Sequence, residues 1–526
     1  MLDLVVRGGT VVDGTGAPRR RADVGVEDGR IAAVGDLGRA VSGRDLDASG
    51  LIVAPGFIDI HSHSDFTLLV DPRARSAVAQ GVTTELVGNC GHGCAPVADP
   101  DATKGNIYGY TPDVPIAWRT TAEYLELLDL RRPAVNVVTL VPNGMLCRAV
   151  MGLEDRTPRP DELRRMAALL EAGLDEGAVG FSVGLEYPIE RCCTPEQVTA
   201  LCKVAARHDG LFAPHLRNRE VRAVEAAEEA LDAARAAGVR LHIPHVVPRR
   251  GGPPDADLQI YALVDRARRS GADVSLDMHT RLHGLTNLAA ALPGWACEGG
   301  AAELRGRLRD PSVRAALREH ESLITSFALG GWDRVSLLTS ARRPDLVGRS
   351  FQEIADAAGT APFDAVLDVL DAEADDPYFP LCLCESYTES QLRAAYEHPA
   401  CTAASDATSL CPDGPLSRST FHGAYTWASW FIRRHVRDEP VFTIEEAVRK
   451  LTSQPAARLK LADRGALRAG ACADVVAFDP ARLRERGTLE RPNQLAEGVV
   501  HVLVNGVVEM ERGAFTAERG GRVLRG

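Results

Sequence analysis

The hydrophobic rhythm of the chain changes twice. Residues 1–54 alternate apolar and polar positions in short stretches, LDLVVRGGTVVD, ADVGVEDGRIAAVG and RDLDASGLIVAP, punctuated by DG, GG and SG pairs. A period of two predicts half-buried β-strands, and the glycine pairs supply their turns. No stretch there is long enough for a helix of ordinary length. From about residue 55, apolar β-like runs alternate with amphipathic helical stretches. The runs are GFIDIHSH, GVTTELVGNC, AVNVVTLVPN, AVGFSVGLEY, LFAPHLRN, RLHIPHVVP, ADVSLDMHT and CTAASDATS. Between them, DELRRMAALLEAGLDEG carries Leu163, Met166, Ala167, Leu170 and Leu174 on one helical stripe. Eight β/α alternations predict an α/β fold, a (β/α)8 TIM barrel with a parallel inner sheet. Residues of about 285–350 break the rhythm between the seventh and eighth runs and predict an insertion on a barrel loop. After about 465 the β-and-turn style returns in RGALRAGACADVVAFDP and GVVHVLVNGVVEME. The predicted organisation is a small β-sandwich domain built from 1–54 and 466–526, flanking a barrel over 55–465.

A barrel of this type places its active site at the C-terminal ends of the strands, so the polar residues that end the apolar runs are the candidates. The first run ends in His61-Ser62-His63. Residues i and i+2 of a strand point the same way, so both imidazoles face one point and suit metal capture. The second ends in Cys90 within GNCGHGC, where a thiolate ligand competes with the commoner fate of cysteine as a small buried hydrophobe. His92 and Cys94 read as loop residues. The fourth ends in Glu186, which could bridge metals, bind substrate or accept a hydrogen bond from another ligand. His215 ends the fifth run and His245 the sixth. His242, three residues before His245, is expected on the opposite face. Asp406 ends the eighth run, either as a general base beside a metal or as an ordinary helix cap. No GxSxG elbow, phosphate-binding loop or dinucleotide fingerprint competes with this set.

Composition narrows the function classes. The 526 residues carry a formal net charge of −12, a poor match to nucleic acid, which demands clustered positive charge. There is no apolar run of about 18 residues and no visible signal peptide, so neither a membrane partner nor export is expected. The twelve cysteines form no CxxC pair, which points to a reducing cytoplasm. Of the 60 basic residues, four are lysine (Lys104, Lys203, Lys450 and Lys460) and the remaining 56 arginine. None of the four ends a predicted barrel strand.

GFIDIHSHSD, GVTTELVGNCG, GFSVGLEYP, FAPHLRN, HIPH, SDA and RGALRAGACADVVAFDP resemble the amidohydrolase superfamily, and in detail the N-acyl-D-amino-acid deacylases, over nearly the whole chain. The resemblance implies a zinc hydrolase with a tight site at Cys90, His215 and His245. It implies a second, weaker site at His61 and His63 sharing Cys90, Asp406 as the catalytic carboxylate, and the insertion as a lid. Zinc lowers the pKa of its bound water toward ~7, and Asp406 would take that proton and return it to the leaving amine. The implied partner is a small acylated amino-acid-like molecule; the sequence assigns no oligomeric state.

Several positions depart from the family pattern. Strand seven, commonly D-x-Tyr-Pro-Tyr, reads Asp277-Met278-His279-Thr280-Arg281. The usual lysine two residues after the strand-six histidine is Val247, the strand-three Gly-His-Gly is Pro142-Asn143-Gly144, and a family tyrosine after strand eight is replaced by His422. The metal set is intact while substrate contacts are altered, so a non-standard substrate is expected. Tyr187, Arg217, Arg281 and His279 are the candidate substrate contacts, with arginine as the grip for a carboxylate. Two alternatives remain: a cyclic-amide hydrolase, whose carboxylated lysine on strand four has no counterpart here, and a non-catalytic metal-binding barrel.

Overall fold

The computed structural model describes every residue except Arg39. The eight apolar runs form eight parallel strands: β1 (Phe57–Asp59), β2 (Val82–Val87), β3 (Asn136–Thr139, resuming as Val141–Pro142), β4 (Gly180–Gly184), β5 (Leu211–His215), β6 (Arg240–Ile243), β7 (Val274–His279) and β8 (Cys401–Ala404). β3 is split at Leu140: its first half pairs with β2 and its second with β4. The ring closes between β8 and β1, where the Asp406 amide donates to the His61 carbonyl at 2.8 Å and Ser62 bridges Ala407. Ile58, Leu86, Val138, Leu211, Ala213 and Ala404 share one cluster. Only the interior of a closed barrel brings β1, β2, β3, β5 and β8 together, so the centre is packed below its polar rim.

The outer helices follow the predicted stripes. Pro160–Asp175 buries Met166, Leu170 and Leu174 while Leu163 and Ala167 are half-buried. Thr194 caps Pro195–Arg207 in a reciprocal capping box with Gln197, and Ala223–Ala237 ends at Gly238 in the left-handed conformation that favours glycine.

The two chain ends join in one nine-stranded sheet. Ile52–Pro55, the last strand of the N-terminal set, pairs antiparallel with Val475–Phe478 of the C-terminal set. Leu4, Val24, Ile31, Val475, Leu503 and Val508 form its common core. The final residues run back under the barrel, where the Val137 amide donates to the Arg522 carbonyl.

The segment between β7 and β8 is longer than the expected 285–350. It contains an antiparallel sheet of His283–Asn287, Val335–Leu337 and Leu381–Glu385, with helices that include Phe351–Ala358 and Pro362–Ala372. Its core, around Leu304, Leu317, Phe351, Val366 and Leu370, is distinct from the main barrel core and meets the barrel at Cys90 and Tyr187 on the rim. The two later helices have ordinary apolar stripes, so periodicity alone could not tell them from barrel helices. No helix among the described residues is long and apolar enough to cross a membrane.

Candidate active site

At the C-terminal ends of the strands lies a small cavity lined by His63, Cys90, Tyr187, His215, His245, His279 and Asp406. Tyr108, Arg219, Arg249, Tyr387 and Phe421 complete its wall, and Gly284, Leu285, Leu323 and Phe327 of the β7–β8 insertion roof it. His61 lies beneath, fully buried. The Cys90 sulfur is 3.2 Å from His61 Nε2 and 3.3 Å from His245 Nε2. Asp406 Oδ1 is 3.5 Å from His61 Nε2 and 3.3 Å from His63 Nε2.

Backbone geometry explains how these side chains reach one point. Cys90, His245 and Asp406 each follow the end of a strand and have φ of 54°, 35° and 44°. Such left-handed conformations are uncommon outside glycine and concentrate at functional sites. The flanking glycines make room: a Cβ on Gly184 would stand 2.2 Å from the Cys90 carbonyl oxygen, and one on Gly91 2.0 Å from Glu190. These contacts are the physical reason for glycine in GNCG and GLEY.

A buried anion braces the ligands from below. Asp277 accepts from His61 Nδ1 at 3.2 Å, from His242 Nε2 at 2.9 Å and from the His245 amide at 2.7 Å. Burial opposes protonation of His61, but Asp277, Cys90 and Asp406 outweigh it and hold its pKa well above the usual value. Burial dominates at His215 and His245: it lowers the first to about 4 and the second well below its normal range, so both are neutral imidazoles with lone pairs to offer. Burial also opposes ionisation of Asp406, but Arg281 and His61 hold it well below the usual carboxylate range.

Two donor groups could hold a cation: His61, Cys90 and His245, and His61, His63 and Asp406, each with ligand atoms within 4.8 Å of one another. The donors fit zinc. A thiolate with imidazoles and a carboxylate is a zinc set, and burial pushes the Cys90 thiol up, so an adjacent cation is what would keep it ionised.

Several expectations need correction. His215 does not join Cys90 and His245 in a donor group; its Nε2 donates to Glu186 at 2.6 Å. Glu186 stands in neither donor group. It accepts from Arg249 Nη2 at 2.5 Å, and Arg249 in turn pairs with Glu220. These contacts are those of a hydrogen-bond acceptor, one of the three readings open for Glu186. Arg217 is not in the cavity wall: it pairs with Glu229 at 2.8 Å and donates to the Arg191 and Cys193 carbonyls, bracing the outside of the barrel. Arg281 is in the site but committed, donating to Asp406 Oδ2 and the Ser405 carbonyl, each at 2.6 Å. His242 does not turn away: β6 ends at Ile243 and the chain turns at His245, so parity does not carry between them and His242 supports Asp277.

Tyr187 and His279 do line the cavity. The Tyr187 ring packs on His215 at 5.0 Å, and His279 Nε2 is 3.9 Å from Asp406. His92 stacks against Tyr108 and Tyr187, and Cys94 is buried beside Trp118, so neither joins a donor group. Sequence reasoning missed Asp277 as the brace, and Arg219, Arg249 and Tyr387 as cavity wall. Arg219 lies four residues past the end of β5, where strand parity no longer ranks it against Arg217.

A (β/α)8 barrel whose rim gathers histidines, a cysteine and an aspartate around one cavity defines a metal-dependent hydrolase. The amidohydrolase family profile matches residues 45–509, and the chain belongs to that family. It is 35% identical to the N-acyl-D-glutamate deacylase of Alcaligenes xylosoxydans xylosoxydans, covering 100% of this chain and 96% of the relative. It is 32% identical to the D-aminoacylase of the same organism, covering 99% and 97%. The crystal structure of the Bordetella bronchiseptica N-acyl-D-glutamate deacylase, complexed with zinc and a phosphonate mimic of the tetrahedral intermediate, superimposes with a TM-score of 0.82 at 32% identity over 100% of both chains.

Proposed function

We propose that this protein is a zinc-dependent amidohydrolase that cleaves the linear amide of an N-acyl-D-amino acid or a related N-acyl compound. The observation that carries the reading is the ionised Asp406 carboxylate on the wall of the same cavity as Cys90, His63 and His245, beside both donor groups. The relatives that match along their whole length act on N-acylated D-amino acids, by name. Zinc held by His61, Cys90 and His245, with His63 and Asp406 offering a second position, supplies Lewis acidity for water activation and carbonyl polarisation.

The protein's own groups do the rest. Asp406, kept ionised by Arg281 and His61, takes the proton of the attacking water and delivers it to the leaving nitrogen. Arg281 fixes the carboxylate oxygen Oδ2, leaving Oδ1 toward His61 and His63. The roof of Leu285, Leu323 and Phe327 limits water around the reacting amide. His279 on the cavity wall, where relatives commonly carry an aromatic residue, supports a substrate outside the common N-acyl-D-amino acids. The cyclic-amide route lacks its bridging group, since no lysine lines the cavity and Lys450 bonds the Cys401 carbonyl at the start of β8.

Asp406→Asn is expected to keep zinc at His61, Cys90 and His245 and to lose about 10²–10⁴-fold in kcat, the range for a positioned general acid–base. An N-acyl-amino-acid panel with metal analysis tests this. Turnover by the variant, or a parent that cleaves no member of the panel, would overturn the reading.

A further inference from the structure

We infer that Arg219, together with the hydroxyl of Tyr387, binds the carboxylate of the substrate. The proposal rests on the amide-hydrolase reading above and adds the group that orients the substrate.

The basic residues gathered near the cavity are matched, with one exception. Arg249 faces Glu186 and Glu220, Arg281 faces Asp406, and Arg217 faces Glu229. Arg219 is 5% exposed, lines the cavity, and makes no ion pair among the described residues. Only its Nη2 is used: it donates to the His245 carbonyl at 2.5 Å, the Val247 carbonyl at 3.2 Å and the Tyr387 hydroxyl at 2.8 Å. Nε and Nη1 are left without a protein acceptor. Glu186 and Glu220 act on this guanidinium only from beyond direct contact, so its two free N–H edges are open to an anion entering the cavity.

Tyr387 adds a second donor. Its oxygen accepts from Arg219, which leaves its own proton free, and burial keeps the phenol protonated. Because Arg219 is anchored to the carbonyl of His245, an anion gripped there lies beside the residue that offers a ligand atom to the metal. An N-acyl amino acid has that arrangement: its carboxylate is separated by one carbon from the amide nitrogen. A guanidinium and a phenol on one wall are complementary to a carboxylate.

The test compares two substrates that differ only in this charge, N-acetyl-D-methionine and its carboxamide, on the zinc-loaded enzyme. The parent is expected to prefer the carboxylate by about 100-fold in kcat/KM, the scale of lost charge-assisted hydrogen bonds. Arg219→Gln should remove that preference, mostly through KM on the carboxylate substrate, while the carboxamide changes less than about threefold. Arg219→Lys should recover part of it, and Tyr387→Phe should lose about tenfold on the carboxylate alone. Equal losses on both substrates would overturn the proposal, since that is the signature of an arginine that only braces the His245 and Val247 carbonyls. If the parent cleaves neither compound, the wider N-acyl panel decides the hydrolase reading. Arg219 is then judged by calorimetric titration of N-acetyl-D-methionine: binding weakened about 100-fold in Arg219→Gln supports it, and equal or absent binding in both proteins overturns it.

Discussion

Asp277→Asn isolates what the buried anion beneath the site contributes. The carboxylate is fully buried and accepts from three donors: the His61 ring at 3.2 Å, the His242 ring at 2.9 Å and the His245 amide at 2.7 Å. Asparagine has the same shape but one acceptor oxygen. That oxygen's best use is the His245 amide, the shortest of the three, which turns the NH2 toward both rings. His242 can change tautomer and accept from it. His61 cannot do so while Nε2 serves a metal, because its Nδ1 must then carry the proton. The His61 hydrogen bond to a charged acceptor, worth about 1.5–3 kcal/mol, is therefore lost. Removal of a carboxylate behind a ligating histidine commonly weakens metal affinity about 10–100-fold, or about 1.4–2.8 kcal/mol, which agrees with the hydrogen-bond figure. Competition against a chromophoric chelator at neutral pH measures the zinc Kd, and circular dichroism checks that the isosteric variant is folded. A folded variant whose Kd lies within about threefold of the parent would refute the view that Asp277 orients and polarises His61.

Two further predictions concern stability. Arg249→Met leaves Glu220 without an ion pair and Glu186 with His215 as its one close partner, and should cost about 3–5 kcal/mol in denaturant unfolding. Adding Glu186→Gln and Glu220→Gln should restore more than half, and a single-variant loss below about 1 kcal/mol would contradict the network. His435 is enclosed by Tyr396, Trp430, Phe431 and Phe442 with both ring nitrogens unpartnered, and burial lowers its pKa to about 4. The unfolded chain, with an ordinary value near ~6.5, binds the proton more readily between these limits. The neutral ring's contribution is thus complete above pH ~6.5 and lost as the pH falls toward 4, at most about 3 kcal/mol. His435→Leu should flatten that acid limb of the stability profile; an unchanged slope would show that other groups set it.

Much of the site was legible because strand ends are local. His61, His63, Cys90, His215, His245 and Asp406 each terminate an apolar run, and all six reach one cavity or its floor. Parity arguments worked within strands and failed just past them, as at His242 and His245, where the turn resets side-chain direction. Arginine roles were the least legible. Arg217, Arg219 and Arg281 lie near strand ends alike, and what separates them is a partner elsewhere: Glu229 for the first, none for the second, Asp406 for the third. The extent of the insertion was also hidden, because Phe351–Ala358 and Pro362–Ala372 carry the same stripe whether they pack on a barrel or on each other.

The sequence by itself determined the barrel, the joining of its two ends in one β-layer and the ligand types on the strand ends, since these follow from periodicity and from residue chemistry within a few positions. The positions of the four lysines, none at the end of an apolar run, likewise gave no reason to expect a bridging lysine. Only the tertiary structure shows which donor atoms come together, that Asp277 and Glu186 accept hydrogen bonds from the histidines, and that Arg219 alone among the site's arginines has no direct ion-pair partner among the described residues. Those outcomes depend on electrostatic partners tens to hundreds of residues apart, and a buried charge takes its role from the groups that surround it rather than from its neighbours along the chain.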